Sequence, residues 1–190
     1  MNIDKNEVVT VRNREDIVTW CDEHQVTIQV FNQPVIIPEG VTDCRLMFDG
    51  CSSFNQPVII PEGVINCTAM FIGCSNFNQL VIIPKTVTTC KSMFNGCSSF
   101  NQPTIIPGSV TTCKSMFSGC ESFNQPIIIP GSVTDCKDMF RYCDSFNQLV
   151  VVPESVEIYE DAFYECPGVF NPENRTYIPK NEVFIKTNLF

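Results

Sequence analysis

Residues 31–53 read FNQPVIIPEGVTDCRLMFDGCSS, and closely similar segments follow at intervals of 23 residues. Each later copy begins at a phenylalanine: Phe54, Phe77, Phe100, Phe123 and Phe146. Together the six copies fill residues 31–168. A fixed period in the twenties is typical of a solenoid, in which each repeat forms one coil stacked on its neighbours. The sequence therefore predicts a solenoid of six 23-residue coils.

The chain before the repeat, residues 1–30, is predicted to form an N-terminal cap. Its pattern predicts a strand over residues 8–11, a helix from Arg14 to about residue 23, and a second strand over residues 26–30. Asn13 can accept the first N–H groups of this helix. Trp20, the only tryptophan, is predicted to close the first coil, and the alternative is a platform for a ligand.

The chain after the repeat, residues 169–190, is predicted to form a C-terminal cap. Val169 occupies the position at which the 23-residue period would place a seventh phenylalanine. Two closing strands are predicted, over residues 175–178 and 183–186. The predicted organisation is therefore one solenoid between two caps.

Within each copy, the pattern predicts a strand followed by a short helical turn. Residues 58–60 are a β-branched run that ends at a proline, which cannot extend a central strand. Cys44, Met47, Phe48 and Cys51 have the i, i+3, i+4, i+7 spacing of one apolar helical face. The residue before the first cysteine of this turn can cap it in five copies: Asp43, Asn66, Thr89, Thr112 and Asp135.

The pair Asn-Gln occurs in all six copies, from Asn32-Gln33 to Asn147-Gln148. Stacked amides can hydrogen-bond one another and the backbone where the chain bends into the strand. We therefore expect a structural row of amides inside the solenoid. The alternative is a row that recognises a ligand.

Eleven of the twelve cysteines follow the repeat in two series. They are Cys44, Cys67, Cys90, Cys113 and Cys136, and Cys51, Cys74, Cys97, Cys120, Cys143 and Cys166. Because free cysteine behaves as a small buried hydrophobe, two internal columns of thiols are predicted. Disulfides between neighbouring coils are an alternative in an oxidising compartment. A zinc site is disfavoured, because there is no CxxC pair and His24 is the only histidine.

Composition narrows the classes of partner. A net charge of −9 and a pI near 4.5 disfavour binding of nucleic acid through its phosphates. The first residues are charged where a signal peptide is apolar, and no apolar run has the length of a membrane span. We therefore expect no membrane association, a cytoplasmic location and reduced cysteines.

The segment MFNGCSSFNQ, residues 93–102, resembles the bacterial surface type of leucine-rich repeat. The last copy, with VPESV at residues 152–156 and AFYEC at residues 162–166, is similar to the BspA-like branch of that class. The FNQP motif also resembles the FNIP repeats of amoebae and their giant viruses. The resemblance implies an α/β solenoid of the leucine-rich-repeat-like kind, with a parallel sheet on one face and short helical turns on the other. It also implies adhesion or protein binding, without catalytic residues.

Strand alternation predicts a row of apolar side chains that point outward. If Val58 and Ile60 point into the core, the residue between them faces solvent. That position is occupied by Ile36, Ile59, Ile82, Ile105, Ile128 and Val151. Soluble monomers rarely expose such a patch, so we expect a protein partner or a second copy to cover it. The alternatives are that the flanking residues point outward, or that the coils bend to cover the row.

A second row, with four basic residues, follows the first cysteine of each copy. The basic residues are Arg45, Lys91, Lys114 and Lys137. Thr68 and Glu160 hold the same position in the other two copies. We expect a solvated row balanced by nearby acids, and the alternative is contact with an anionic ligand.

The predicted function is non-enzymatic protein binding through the sheet face, with no cofactor. The alternatives are a self-assembling structural homo-oligomer, a bacterial surface adhesin, and a virus-encoded modulator of host or defence proteins. No catalytic constellation is visible in the sequence. Acid pairs such as Glu160-Asp161 fit the exposed start of a helical turn.

Overall fold

The computed structural model describes residues 4–180. The regular elements are short and lie mostly towards the two ends of the chain. In order they are β1 (Val9–Thr10), α1 (Arg14–Glu23), a 3-10 helix (Ile28–Val30), β2 (Val35–Ile36), β3 (Val150–Val151), β4 (Val169–Asn171) and β5 (Thr176–Ile178). The strand predicted over residues 183–186 lies outside the described residues.

The helix predicted from Arg14 to about residue 23 is present as α1. The side chain of Asn13 accepts the N–H of Glu15 at 2.8 Å, which fixes the start of the helix. Trp20 is buried, and its ring meets the edge of Phe31 with centroids 5.3 Å apart, so it closes the first coil. The second predicted strand, over residues 26–30, is wrong. The chain forms the 3-10 helix there, because the N–H of Val30 turns back to the carbonyl of Thr27 at 3.1 Å.

Successive 23-residue segments are joined by backbone hydrogen bonds on one side of the solenoid. We call this the turn side, comprising residues 43–51 and the equivalent residues of later copies. Phe48 donates to the carbonyl of Met70 at 2.8 Å, and Gly50 donates to that of Ile72 at 2.9 Å. Parallel bridges link Asp43, Asn66, Thr89, Thr112, Asp135 and Ile158 in sequence. This register confirms that the repeats stack as a solenoid.

The helical turn predicted for the turn side does not form. Its N–H groups alternate between two kinds of partner: Met47 donates to Cys44 in its own coil, and Phe48 donates to the next coil. The residue directly before Met47, and its equivalent in each later copy, has a left-handed backbone conformation with φ between +54° and +57°. The residues concerned are Leu46, Ala69, Ser92, Ser115, Asp138 and Asp161. A right-handed helix cannot contain such a residue, so the turn side is a series of four-residue β-turns instead, such as the one closed by the N–H of Met47 and the carbonyl of Cys44.

The continuous parallel sheet predicted for the opposite side of the solenoid is absent from residues 4–180. We call this the stripe side, comprising residues 57–60 and their equivalents. Within residues 4–180, no backbone hydrogen bond joins the stripe sides of two neighbouring repeats. Regular pairing occurs only where the caps begin. There, β2 pairs in parallel with β1, and β3 pairs antiparallel with β5, which also pairs with β4.

Immediately before the stripe side, the asparagine row replaces backbone pairing between neighbouring repeats. The backbone N–H of Asn55 donates to Oδ1 of Asn32 at 2.9 Å, so a side-chain amide stands where a strand would offer a carbonyl. The same 2.9 Å bond recurs at every later step to Asn147. The proline before the apolar run, as at Pro57, removes another donor. The predicted structural role of the amides is thereby confirmed.

The core contains the residues that the repeat predicted. In each middle copy the methionine, both cysteines, both phenylalanines and a valine are buried. Phenylalanine rings stack in two columns, with centroids 5.2–5.8 Å apart in the Phe48 column and 5.9–6.1 Å apart in the Phe54 column. Both spacings lie within the 4.5–7 Å range of stacked aromatic pairs, so the aromatic columns continue from repeat to repeat.

Tyr177 packs at the C-terminal end of the core. Its ring lies next to Phe146, at the place where the repeat would have put a seventh phenylalanine instead of Val169. Its ring stacks on Phe163 with centroids 4.4 Å apart. Its hydroxyl donates to the carbonyl of Phe146 at 3.2 Å and accepts the N–H of Gly168 at 2.7 Å. Because burial disfavours the phenolate, the pKa of Tyr177 is raised to about 12. This cap therefore ends the core with a fully paired aromatic side chain.

Candidate functional site

Six apolar side chains form an exposed row on the stripe side, which we call the apolar stripe. Their exposed fractions lie between 56% for Ile36 and 85% for Ile59. The members are Ile36, Ile59, Ile82, Ile105, Ile128 and Val151. Val58 and Ile60, on either side of Ile59, are buried. The predicted alternation is present, and the coils do not bend to cover the row.

Polar residues of the caps bound the apolar stripe at both ends. Thr10 in β1 lies beside Ile36, and Thr176 in β5 lies beside Val151. Because these cap strands pair with the first and last strands of the stripe side, they also satisfy backbone groups there. The stripe is therefore a surface of defined length.

Sequence reasoning missed two leucines that widen the stripe. Leu80 is 57% exposed and Leu149 is 53% exposed. Each stands two residues before a stripe residue, at a position held by proline in the other copies. That even spacing along an extended segment was the signal that could have found them. Leu80, Ile82 and Ile105 line an open depression of about 760 Å³ whose floor is apolar.

The predicted basic row lies on the turn side, and so does not belong to the apolar stripe. Arg45 forms an ion pair with Asp43, with 2.8 Å between Nη2 and Oδ2. Lys91, Lys114 and Lys137 have no carboxylate within 4.0 Å in the part of the chain that the structure describes. The capping residues predicted beside this row do accept backbone N–H groups, as Asp135 does from Lys137 at 2.9 Å.

The eleven cysteines of the repeat form two columns of free thiols. In the second column each Sγ from Cys74 onward donates to the carbonyl of a phenylalanine in the preceding repeat, as Cys97 does to Phe71 at 3.0 Å. Burial raises the pKa of Cys44, Cys51 and Cys136 to about 12. Since the thiolate is the form that reacts and binds metals, these thiols are inert core groups.

His24, at the end of α1, is partly buried. The ring of His24 stacks on Trp20 with centroids 4.1 Å apart, and Nε2 lies 3.3 Å from a carboxylate oxygen of Glu7. Across residues 4–180, no three side chains of the metal-binding types are placed to hold an ion together. None of the helices in that span has both the length and the apolar character needed to cross a bilayer.

Two solved structures are similar to this chain. A leucine-rich cell surface protein from Faecalibacterium prausnitzii A2-165 shares 29% identity over 60% of this chain, with a TM-score of 0.52. The match spans only 30% of that longer protein. A leucine-rich repeat protein of T. pallidum matches 98% of this chain and 85% of its own length, with 17% identity and a TM-score of 0.53. The likeness to these two proteins shows that this chain has the fold of a leucine-rich-repeat-like solenoid.

The relatives found are bacterial, so the viral alternative gains no support from them. A search of curated proteins found no match. One family, described as Mycoplasma protein of unknown function, DUF285, matches in four overlapping stretches: residues 2–83, 21–105, 42–151 and 84–172. These stretches cover the cap and the whole repeat region. The chain belongs to the DUF285 family.

Proposed function

We propose that this chain is a non-enzymatic protein-binding module whose apolar stripe contacts the partner. In this proposal six coils form the binding body, and residues 1–30 and 169–190 cap it. The exposure of the six stripe residues, between 56% and 85%, is the observation that carries the proposal.

The physical support is the free energy that covering the stripe would release. Burying one isoleucine or valine side chain contributes about 1.5–3 kcal/mol. The six stripe side chains and two leucines correspond to roughly 500–900 Å² of apolar surface at about 25 cal/mol per Å². A stable interface needs about 800 Å² from each partner, so the stripe would supply most of such a surface.

The test compares two double variants that add the same charge to the same repeats. Ile82→Glu with Ile105→Glu places two carboxylates in the middle of the stripe. Thr88→Glu with Thr111→Glu is the matched control, because both threonines are exposed but lie outside the stripe. Circular dichroism and thermal unfolding should show both variants folded, since exposed substitutions usually change stability by less than about 0.5 kcal/mol.

Binding is measured by capture from an extract of the source cells and by light scattering of the purified chain. We expect proteins retained by the wild type and the threonine control to be lost from the isoleucine variant. A set of retained proteins that is the same for all three would refute the proposal. Light scattering separates the self-assembly alternative, in which the mass would be a multiple of 21.4 kDa and would fall to that value in the isoleucine variant.

A surface adhesin is the second candidate. It is favoured by the likeness to the cell surface protein of F. prausnitzii, whose length this chain covers only in part. The predicted cytoplasmic location therefore stays a prediction. Fractionation of the source cells decides between the two locations, because an adhesin would be accessible to protease added outside intact cells.

A further inference from the structure

The hydrogen bonds between residues 43–50 of neighbouring repeats all run in the same direction. At each of the five interfaces between repeats, four backbone N–H groups of the earlier repeat donate to carbonyls of the later one. At the last interface the donors are Cys136, Asp138, Phe140 and Tyr142. Residues 169–180 do not continue this ladder after the sixth repeat. The turn side therefore ends the stack with N–H donors.

Four N–H groups at this end have no acceptor among residues 4–180. They hold the positions of the four donors at every earlier interface, and we call them the open edge. They belong to Tyr159, Asp161, Phe163 and Glu165. A row of unpaired N–H groups is a template for another segment of chain, because the carbonyls of that segment can accept them.

The N-terminal end of the solenoid is closed by comparison. The free groups of the ladder there are carbonyls, and that of Asp49 accepts from the guanidinium of Arg14. Trp20 packs against Phe31 on the same end. At the C-terminal end, Phe163 is only partly buried, although its counterparts in the five earlier repeats are 0% exposed. A second copy stacked end to end would bring its N-terminal cap, rather than free carbonyls, against the open edge.

An aromatic groove lies beside the open edge. Its volume is about 190 Å³, below the roughly 300 Å³ at which small-molecule sites begin. Four of its six lining residues are aromatic: Tyr159, Phe163, Tyr164 and Phe170. Two of these four also carry N–H groups of the open edge, so the groove and the edge are continuous. The groove therefore suits one apolar side chain of a segment that pairs with the edge.

Carboxylates set the charge of this end. Glu157, Glu160 and Glu165 are exposed, and no cation lies within 4.0 Å of them in the described part of the chain. Acidic groups complement the positive end of aligned peptide dipoles. They also repel a free anion, so the acceptors that fit the open edge are the neutral carbonyls of a peptide. Lysine or arginine side chains of that peptide would pair with the carboxylates.

We propose that the open edge binds an extended, basic segment of a partner protein. The carbonyls of the segment accept the four N–H groups, and one of its apolar side chains fills the aromatic groove. Its basic side chains pair with the glutamates of the sixth repeat. This is the addition of a strand to a free edge. The contact is independent of the function proposed for the apolar stripe.

The probe is a capped peptide of alternating lysine and valine. A length of about eight residues presents four residues to one side when the peptide is extended. The peptide is added to the full ¹⁵N-labelled chain, and the amide signals are followed by NMR. We expect the amide protons of the open edge to move downfield and to saturate, because each gains an acceptor. The same peptide with glutamate in place of lysine should bind at least about tenfold more weakly.

Two double variants test the charge pairing. Glu160→Gln with Glu165→Gln removes two carboxylates beside the open edge and should weaken binding of the lysine peptide about tenfold or more. Glu39→Gln with Glu62→Gln is the matched control, because it removes the same charge at exposed positions of the first two repeats. The control should bind the lysine peptide like the wild type.

Three results of the titration would overturn the proposal. They are no response of the open edge to the lysine peptide, equal responses to the two peptides, and equal affinities of the two double variants. Hydrogen exchange of the free chain is a separate check, in which we expect the four amides to exchange at unprotected rates. Slow exchange there would mean that the chain's own residues already cover the open edge, which would also overturn the proposal.

Discussion

The turn side and the stripe side are built from the same repeat but hold the solenoid together to very different extents. On the turn side, four backbone N–H groups of the first repeat donate to carbonyls of the second: those of Cys44, Leu46, Phe48 and Gly50. The stripe sides of neighbouring repeats share no such backbone bond within residues 4–180, and the side-chain bonds just before them include that from the N–H of Asn55 to Oδ1 of Asn32 at 2.9 Å. The turn side therefore provides cohesion, and the stripe side is free to present apolar side chains.

This division suggests how the stripe can vary without loss of the fold. The phenylalanines, methionines and cysteines that pack the core lie on the turn side or next to it. The stripe residues contribute little to that packing, because more than half of each side chain is in solvent. Changes of condition or sequence that affect the turn side should therefore have much larger effects than changes on the stripe side.

Alkaline pH should produce the largest effect, through the buried thiols of the turn side. Their pKa values are raised by burial from an ordinary value of 9.0 to about 12, as for Cys44, Cys51 and Cys90. The protonated thiol is favoured in the native state, so its contribution to stability is complete below pH 9 and is lost as the pH rises towards 12. Each such thiol should reduce the free energy of unfolding by about 1.4 kcal/mol per pH unit in this window.

The measurement is the urea midpoint of unfolding between pH 7 and pH 10.5, with reductant present. We expect a flat profile up to about pH 8.5 and a steep fall above it. The double variant Ile82→Glu with Ile105→Glu is the control. Because it changes only the stripe, the pH at which the urea midpoint begins to fall should be the same as in the wild type. A midpoint that stays constant to pH 10.5 would show that the thiols are not buried as described.

Truncation of one core aromatic should give the next largest effect. Phe94 is fully buried and stacks on Phe71 and Phe117 at 5.6 Å and 5.8 Å. Phe94→Ala should lower the free energy of unfolding by about 3–5 kcal/mol, because it leaves a cavity in the column. Ile105→Ala, in the next repeat, should change it by less than about 0.5 kcal/mol.

Urea unfolding followed by circular dichroism measures both variants under the same conditions. Comparable losses of stability for Phe94→Ala and Ile105→Ala would break the distinction between the two sides. They would mean that the stripe is packed in solution, either by a second copy or by rearrangement of the coils. Light scattering of Ile105→Ala would then separate those two explanations.

The sequence predicted the core and the exposed row because both follow from strict spacing. Apolar residues at fixed positions of a 23-residue repeat can be buried together only if the repeats stack. Alternation around Val58, Ile59 and Ile60 needs only an extended backbone, so it holds even though the strands are not paired.

The sequence could not predict which side carries the backbone hydrogen bonds. The i, i+3, i+4, i+7 spacing from Cys44 to Cys51 matches a helical face, yet successive turns bury the same residues. Nothing in Leu46 or Ala69 signals a left-handed backbone, since glycine is the usual residue there.

The left-handed positions themselves give the smallest predicted effect, and they test the turn side directly. Ser92 has φ +54°, which costs an ordinary residue about 1–2 kcal/mol relative to glycine. Part of this is offset, because glycine gains about 0.4–1 kcal/mol of conformational freedom in the unfolded chain. Ser92→Gly should therefore raise the free energy of unfolding by about 0.5–1 kcal/mol.

Ser99→Gly is the control: Ser99 is not among the positive-φ residues, so the change should lower stability by about 0.5–1 kcal/mol. Urea midpoints that shift in opposite directions would support the backbone conformation of the turn side, and a loss of stability in both variants would contradict it.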